Sequence, residues 1–272
     1  MSISSHTLHE LSAITVDAAI KGNLVWVPDQ DGATVSCPVG IHTGFPAETE
    51  LEKAYRILID RGNIIFPISG RPEVFFDTAY PNLRNEFWIA SEMGARITAP
   101  NGRLILSNPV PNRDTLIQLF EKEVLSFPGA KIEDGKTCAI TLALTDATDR
   151  MKAFNHLKRV ADEYARHDGV HIKSGSVPHN THIEFVPQGI DKGSAAEFVV
   201  QTFPGKLIVS IGDSEPDVDM FVVFNDVGGY SIGVGPKAPD NCHTYLDTAQ
   251  EGANFIIEVA REVERHFSHC PV

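Results

Sequence analysis

Leu24-Val25-Trp26-Val27-Pro28-Asp29-Gln30-Asp31-Gly32 reads as a short buried strand that ends on two carboxylates one residue apart. Four consecutive apolar residues closed by proline and acidic turn residues suit a strand covered on both faces, as in a parallel sheet. In such sheets ligands bind beyond the carboxyl ends of the strands. A strand ending in Asp29-Gln30-Asp31-Gly32 therefore points its carboxylates at the edge where chemistry is done.

Other segments repeat this arrangement. Asn63-Ile64-Ile65-Phe66-Pro67-Ile68 reads as a strand running into Ser69-Gly70-Arg71, and Leu207-Ile208-Val209-Ser210-Ile211 feeds Gly212-Asp213-Ser214, with Asp217 close behind. Residues 32–47 form a long loop, followed by a helix with Leu51, Ala54, Tyr55, Leu58 and Ile59 on one face and Gly62 placed to end it. Phe87–Ala90 and Tyr230–Val234 are further strands, and a final helix presents Phe255, Ile256, Val259, Ala260 and Val263. Strands alternating with helices predict an α/β fold with a doubly wound, mainly parallel, Rossmann-like core sheet.

The middle of the chain breaks the alternation. Asp114 is placed to cap a helix carrying Ile117, Phe120, Val124 and Phe127, stopped by Pro128. Cys138–Leu144 is a strand, residues 150–166 are helical with Met151, Phe154, Leu157, Ala161 and Tyr164 on one side, and His182–Val186 alternates like a half-exposed strand. The expected organisation is a discontinuous core, residues 1–107 and 188–272, with an α+β cap inserted over 108–187.

Composition narrows the function classes. The 272 residues are 42% hydrophobic, enough for one large domain or two modest ones with real cores, and no apolar stretch is long enough to span a bilayer. The first six residues lack the basic region and apolar run of a secretion signal. Cys37, Cys138, Cys242 and Cys270 are scattered, so free thiols in a reducing cytoplasm are expected. A net charge of −13 without a basic stripe argues against a duplex nucleic acid partner. A small anionic substrate is compatible with that charge only in a locally positive pocket.

With Asp191-Lys192-Gly193 as a fourth, these motifs supply the parts of an aspartate-based phosphoryl transfer. Asp29 is the expected nucleophile, and Asp31 the acid that protonates the leaving oxygen and then activates water. Asp29, Asp31, Asp213 and Asp217 offer the oxygen ligands that suit Mg²⁺. Ser69 and the backbone around Gly32 and Gly70 are placed to hold phosphoryl oxygens, with Lys192 and Arg71 supplying positive charge. Singly, each motif has a plainer explanation: Asp-x-Asp-Gly as a turn, Ser69-Gly70 as a loop, Lys192 as a solvated side chain, Asp213 and Asp217 as helix caps. Together, with strands ahead of three of them, they favour one site.

Other signals carry less. Gly233-Val234-Gly235-Pro236-Lys237-Ala238 matches a dinucleotide pattern by count, but Pro236 stands where a helix should begin, so it reads as a turn. His266, His269 and Cys270 read as a frayed tail rather than a metal site, and His167 and His171, flanking Asp168-Gly169, as surface residues of a loop. Ser210 lacks the Gly-x-Ser-x-Gly frame of a serine hydrolase.

These motifs resemble the haloacid dehalogenase superfamily of phosphohydrolases. The position of the inserted cap looks like the subgroup acting on sugar phosphates. Within it the chain is similar to the trehalose-6-phosphate phosphatase family, through Ile68–Pro72, Ile89–Ala95, Pro128–Asp134, Ile183–Gly193 and Gly228–Gly235. The resemblance implies a Mg²⁺-dependent cytoplasmic phosphatase with Asp29 as nucleophile, Asp31 as acid/base, Ser69 and Lys192 on the phosphate, and Asp213 and Asp217 on the metal. It also implies that Glu133, Lys136 and Glu184 hold sugar hydroxyls. The chain departs from the family in several places. Ala33 intervenes between Gly32 and Thr34; Pro28 and Gln30 replace apolar neighbours; Met93 and Arg96 stand where His and Glu are usual; Gly135-Lys136 is in swapped order. Thr141-Leu142-Ala143 replaces His-Tyr-Arg, and Gly212-Asp213-Ser214 is closer to the sucrose-phosphate and general sugar phosphatases. Trehalose-6-phosphate is thus the leading substrate. Sucrose phosphate or another sugar phosphate is the alternative, a mutase is a more distant one, and a non-catalytic sugar-phosphate-binding or regulatory module is the rival from another class.

Overall fold

A computed structural model describes residues 7–34, 49–165, 169–174 and 182–269. Most of the expected 32–47 loop lies outside the described residues, as do Cys37, His167, Asp168 and Cys270.

The described chain opens with α1 (Leu8–Ile20), which no periodicity in the sequence had announced. Thr7 accepts from the Glu10 amide and Glu10 returns to the Thr7 amide, a reciprocal cap. β1 (Leu24–Pro28) follows and is buried throughout. After α2 (Thr49–Ile59), Gly62 takes a left-handed φ of 79° and turns the chain into β2 (Ile64–Ile65). The expected strand ran on to Ile68. Regular pairing is confined to Ile64–Ile65, but bonds to β1 carry on at two-residue spacing, the Phe66 amide on the Trp26 carbonyl at 2.9 Å and the Ile68 amide on the Pro28 carbonyl at 3.2 Å. The amide that Pro67 lacks falls on its other side, where its carbonyl accepts from the Ala90 amide at 2.9 Å. The Ser69–Arg71 loop leads to α3 (Glu73–Ala79). β3 (Ile89–Ser91) lies alongside, with the Ser69 amide on the Ala90 carbonyl at 2.9 Å. β4 (Arg96–Ala99) and β5 (Arg103–Ser107) complete an antiparallel sheet with β3 that the sequence reading did not anticipate.

The middle segment builds a second, antiparallel sheet. It comprises α4 (Arg113–Val124), β6 (Lys131–Ile132), β7 (Ile140–Ala143), α5 (Arg150–Ala165), β8 (Val170–Ser174) and β9 (His182–Pro187), with strand order β6-β7-β9-β8. Leu116, Phe120, Ile140, Leu142, Leu157, Ile183 and Phe185 share its apolar cluster. Two expectations are corrected here. Asp114 does not cap α4: Asn112, at φ 51°, occupies that position, and Asp114 sits in the first turn, where its negative charge suits the positive end of the helix dipole. Nor is β9 half-exposed. It is an inner strand, buried from Ile183 to Pro187, because Glu184 is neutralised by Lys136 on the face away from the apolar cluster.

The remaining elements are α6 (Lys192–Thr202), β10 (Leu207–Gly212), α7 (Asp217–Asp226), β11 (Tyr230–Val234), β12 (Thr244–Leu246) and α8 (Ala249–His269). β12-β11-β10-β1-β2 form one parallel sheet. Side chains alternate across it. Leu24 and Trp26 join Leu11, Tyr55, Phe255 and Ile256 from α1, α2 and α8, while Val25 and Val27 join Val199, Phe221 and Phe224 from α6 and α7. Burying a side chain such as Phe221 contributes about 1.5–3 kcal/mol. Both faces are covered, so the sheet is doubly wound, and β1 and β10 at its centre place their carboxyl ends side by side.

Gly235 turns at φ 73° after β11, as the turn reading of that segment required. His171 lies on β8 rather than in a loop and is exposed. His266 and His269 are not on a frayed tail but in the last turns of α8.

Candidate active site

The position of Asp29 is built first by the sheet. The Asp29 amide donates to the Ile211 carbonyl at 2.9 Å, which fixes Asp29 just past β1 and next to the end of β10. Lys192, the first residue of α6, reaches in from the next loop. Its Nζ lies 3.0 Å from Asp29 Oδ2 and 2.6 Å from Asp217 Oδ1. The second Asp217 oxygen accepts from the Asp213 and Ser214 amides at 3.0 and 3.1 Å. Asp217 thus anchors Lys192 and shapes the loop that presents Asp213. Carboxylate oxygens of Asp29, Asp213 and Asp217 all lie within 4.8 Å of one another.

Glycines make these approaches possible. Gly32 has φ 80°, and a Cβ there would collide with the Asp213 carboxylate. A Cβ at Gly212 would collide with Asp217. The extra Ala33 of the first motif is absorbed in the same way. It is fully buried, and its carbonyl fits against α8 because Gly252 has no side chain. Thr34 then turns back to donate to the Asp29 carbonyl at 2.8 Å, bracing Asp29 from its own loop. Gln30 is buried, and its carbonyl oxygen accepts from Tyr80 Oη at 2.6 Å, which accommodates a polar residue where an apolar one is usual.

Asp31 is held apart from this carboxylate group. Arg71 grips both its oxygens, Nε at 2.5 Å and Nη2 at 2.9 Å, in the two-pronged geometry that guanidinium favours. The structure thus places the Asp31 side chain with Arg71, and the three-carboxylate cluster contains Asp29, Asp213 and Asp217 without it. Ser69 is buried at the same loop, its Oγ accepting from the Arg71 amide at 3.2 Å. Gly70 faces Met93, whose sulfur would lie 3.3 Å from an added Cβ.

Charge is unbalanced in this crevice. Burial pushes the Asp29 carboxyl well above its ordinary value, and Asp217, Asp213 and Asp31 add to the rise while Lys192 opposes it. Burial, then Asp217, raises Asp213 to about 6. Burial alone would lower Lys192, but Asp217 and Asp29 outweigh it and hold the ammonium charged. One ammonium cannot neutralise three carboxylates. The deficit and the hard oxygen donors fit a divalent cation between Asp29 and Asp213. Asp217, already accepting three hydrogen bonds, is better suited to holding the residues around it.

A second polar cluster lies in the middle segment. Lys136 Nζ is 2.5 Å from Glu184 Oε1, 2.6 Å from Thr141 Oγ1 and 3.4 Å from Glu133 Oε2. Burial opposes both charges. Lys136 nonetheless holds Glu184 below the ordinary carboxylate range, and Glu184 and Glu133 hold Lys136 above the ordinary amine. Glu133, Lys136 and Glu184 are thus brought together. Thr141, which departs from the family pattern, joins them.

The trehalose-phosphatase family profile matches residues 48–247, most of the described chain. The chain belongs to the trehalose-phosphatase family. It is 32% identical over 155 residues to a probable trehalose-phosphate phosphatase of Sinorhizobium fredii, covering 56% of each chain. It is 24% identical over 204 residues to a trehalose-phosphatase of Schizosaccharomyces pombe, covering 72% of this chain and 23% of that one. The chain therefore spans little more than half of the first relative and under a quarter of the second. Its fold is that of the C-terminal domain of the Candida albicans ("C. albicans") trehalose-6-phosphate phosphatase, at TM-score 0.74 and 18% identity over 96% of this chain and 98% of that one. It is also that of a haloacid dehalogenase-like hydrolase from Bacteroides thetaiotaomicron, at TM-score 0.62 and 16% identity over 89% and 99%.

Some residues that shape this trehalose-phosphatase-family site were not found by motif spacing. Gly252 and Thr34 act through close backbone approach, which leaves no periodic signal. Glu92 is fully buried beside Met93. A glutamate between an apolar strand and a glycine gives no hint that it is buried.

Proposed function

We propose that this chain is a Mg²⁺-dependent phosphatase that hydrolyses a sugar phosphate through an aspartyl-phosphate on Asp29, with trehalose-6-phosphate as leading substrate. The observation that carries the reading is the meeting of Asp29, Lys192, Asp213 and Asp217 at the carboxyl ends of β1 and β10. Asp29 and Asp213 would hold Mg²⁺, which when bound would offset charge on the phosphoryl oxygens.

The remaining work falls to side chains. An Asp29 oxygen attacks phosphorus and the bond to the sugar oxygen breaks. Asp31, protonated, gives its proton to that oxygen. As a carboxylate, Asp31 then takes a proton from water, which attacks the same phosphorus and releases Asp29 and inorganic phosphate. Arg71 must loosen its double grip on Asp31 for the carboxyl to reach the leaving oxygen. Ser69 and the Gly32 and Gly70 backbone hold phosphoryl oxygens, and Lys192 balances the negative charge. The inserted residues 108–187 act as a cap whose Glu133, Lys136 and Glu184 meet sugar hydroxyls and whose closure excludes water.

A sugar-phosphate panel with Mg²⁺ tests the reading. Release from trehalose-6-phosphate, lost in Asp29→Asn, supports it. Release from sucrose phosphate or another member alone moves the substrate within the same chemistry, and Thr141 in the cap cluster is the feature that favours this variant. A folded wild type that binds a sugar phosphate but releases nothing identifies a binding module instead.

A further inference from the structure

Glu92 joins two loops that the proposed chemistry uses separately. It is fully buried, directly after β3, with φ 54°, and Met93 follows at φ 63°. Two successive non-glycine residues in the left-handed region cost free energy and persist only where their surroundings hold them. Here they are held from the core side by the loop carrying Ser69 and Arg71. The Glu92 amide donates to the Arg71 carbonyl and the Met93 amide to the Ser69 carbonyl, each at 3.0 Å.

The Glu92 carboxylate leaves in the other direction, into the inserted segment. One oxygen accepts from the Thr137 amide at 2.9 Å and its hydroxyl at 3.0 Å. The other accepts from the Cys138 and Ala139 amides, both at 2.7 Å. These three amides directly follow Lys136, the centre of the Glu133–Glu184–Thr141 cluster. Gly135, just before it, packs so tightly on α3 that an added Cβ would sit 2.9 Å from Val74. Met93 packs with Ala139 and Val186.

A buried carboxylate bound by amides is most simply a staple for the fold. Its two ends argue for more. One side chain and its own strained backbone connect the Ser69–Arg71 loop to the Lys136 loop with no flexible residue between. We propose that Glu92 is a positioning residue that fixes the spacing between the phosphate-holding loop and the sugar-facing cluster and couples occupancy of one to rigidity of the other. The sugar half of this statement rests on the function proposed above; the coupling half does not.

Two measurements on the full chain separate these halves, using Glu92→Gln and Glu92→Asp. Glutamine keeps the shape but turns an N–H₂ toward two N–H donors; aspartate keeps the charge but shortens the reach. The first measurement is hydrogen exchange at the amides of residues 137–139, with and without inorganic phosphate and Mg²⁺. Phosphate should slow exchange in the wild type by about threefold or more, and Glu92→Gln should exchange about tenfold faster with no response to phosphate. Aspartate should retain part of the response. No phosphate response in the wild type, or an equal one in Glu92→Gln, overturns the coupling. If Glu92→Gln does not fold, the comparison of wild type with Glu92→Asp decides, and an undiminished response in Glu92→Asp overturns it.

The second measurement compares trehalose-6-phosphate with p-nitrophenyl phosphate, which has no sugar. Glu92→Gln should raise KM for the sugar phosphate about tenfold while changing p-nitrophenyl phosphate turnover by less than about threefold. Equal loss on both substrates would reduce Glu92 to a staple. A wild type inert to both refutes the phosphatase reading, and the exchange experiment still judges Glu92.

Discussion

The Lys192 ammonium sits 3.0 Å from the Asp29 carboxylate, with both side chains under a tenth exposed. Neither residue is held by the other alone: β1 and β10 fix Asp29, and Asp217 fixes Lys192. The pair is a consequence of a parallel sheet that brings distant strand ends to one edge. Removing the lysine leaves Asp217 charged in a buried site. Lys192→Met should therefore cost about 3–5 kcal/mol of stability, the usual price of an orphaned buried charge, as well as most phosphatase turnover. Denaturant unfolding and phosphate release measure the two effects.

Asp213 should behave oppositely. Its carboxyl is raised from an ordinary 3.8 to about 6, chiefly by burial and then by Asp217, so its charged form is disfavoured in the folded chain. The penalty builds as pH rises from about 3.8 through about 6 and is constant above. Asp213→Asn should stabilise the metal-free protein at pH 7 by on the order of 2 kcal/mol and leave it unchanged near pH 3. The same substitution should abolish the rise in Tm on adding Mg²⁺, and excess EDTA should remove that rise and the activity from the wild type.

Glu184 has the reverse sign. Lys136 holds its carboxyl below the ordinary 4.5 despite burial. Its contribution is present above about 4.5 and lost as pH falls through the lower folded value. Glu184→Gln should cost about 1–3 kcal/mol at pH 7, because Glu133 at 3.4 Å still partners Lys136, and the gap to wild type should narrow below pH 4.5. Thermal unfolding across pH shows whether it does.

Gly252 and Gly32 test the fit of the extended first motif. Gly252→Ala drives a methyl into the Ala33 carbonyl and should cost about 1–3 kcal/mol or shift the Asp29 loop. Gly32→Ala meets both a φ of 80° and the Asp213 carboxylate, so its loss of Mg²⁺ affinity should exceed that of Gly252→Ala. Calorimetric Mg²⁺ titration of the two variants makes the comparison.

What could be read from sequence follows from the range of each signal. The parallel core was legible because β1 is an unbroken apolar run and β10 and β11 are short apolar runs interrupted only by serine or glycine, and Asp29, Lys192, Asp213 and Asp217 because each stands at a strand end or helix start. β9 misled because Glu184 looked like a solvent-facing alternation, and its burial depends on Lys136 and Thr141, both far away in the chain. α1 and the β4–β5 hairpin lack a clean period, and β5 is exposed along its whole length. The Asp31–Arg71 pair joins two motifs whose spacing says nothing of their contact. Glu92 acts by tertiary hydrogen bonds alone.

The central claim is that Asp29 carries the phosphoryl group during turnover. Quenching the wild type during steady-state hydrolysis of trehalose-6-phosphate with Mg²⁺, followed by peptide mass spectrometry, should find a phosphate adduct on Asp29 that is missing from Asp29→Asn along with the activity. Continued turnover by Asp29→Asn, with no adduct on Asp29 in the wild type, would contradict it.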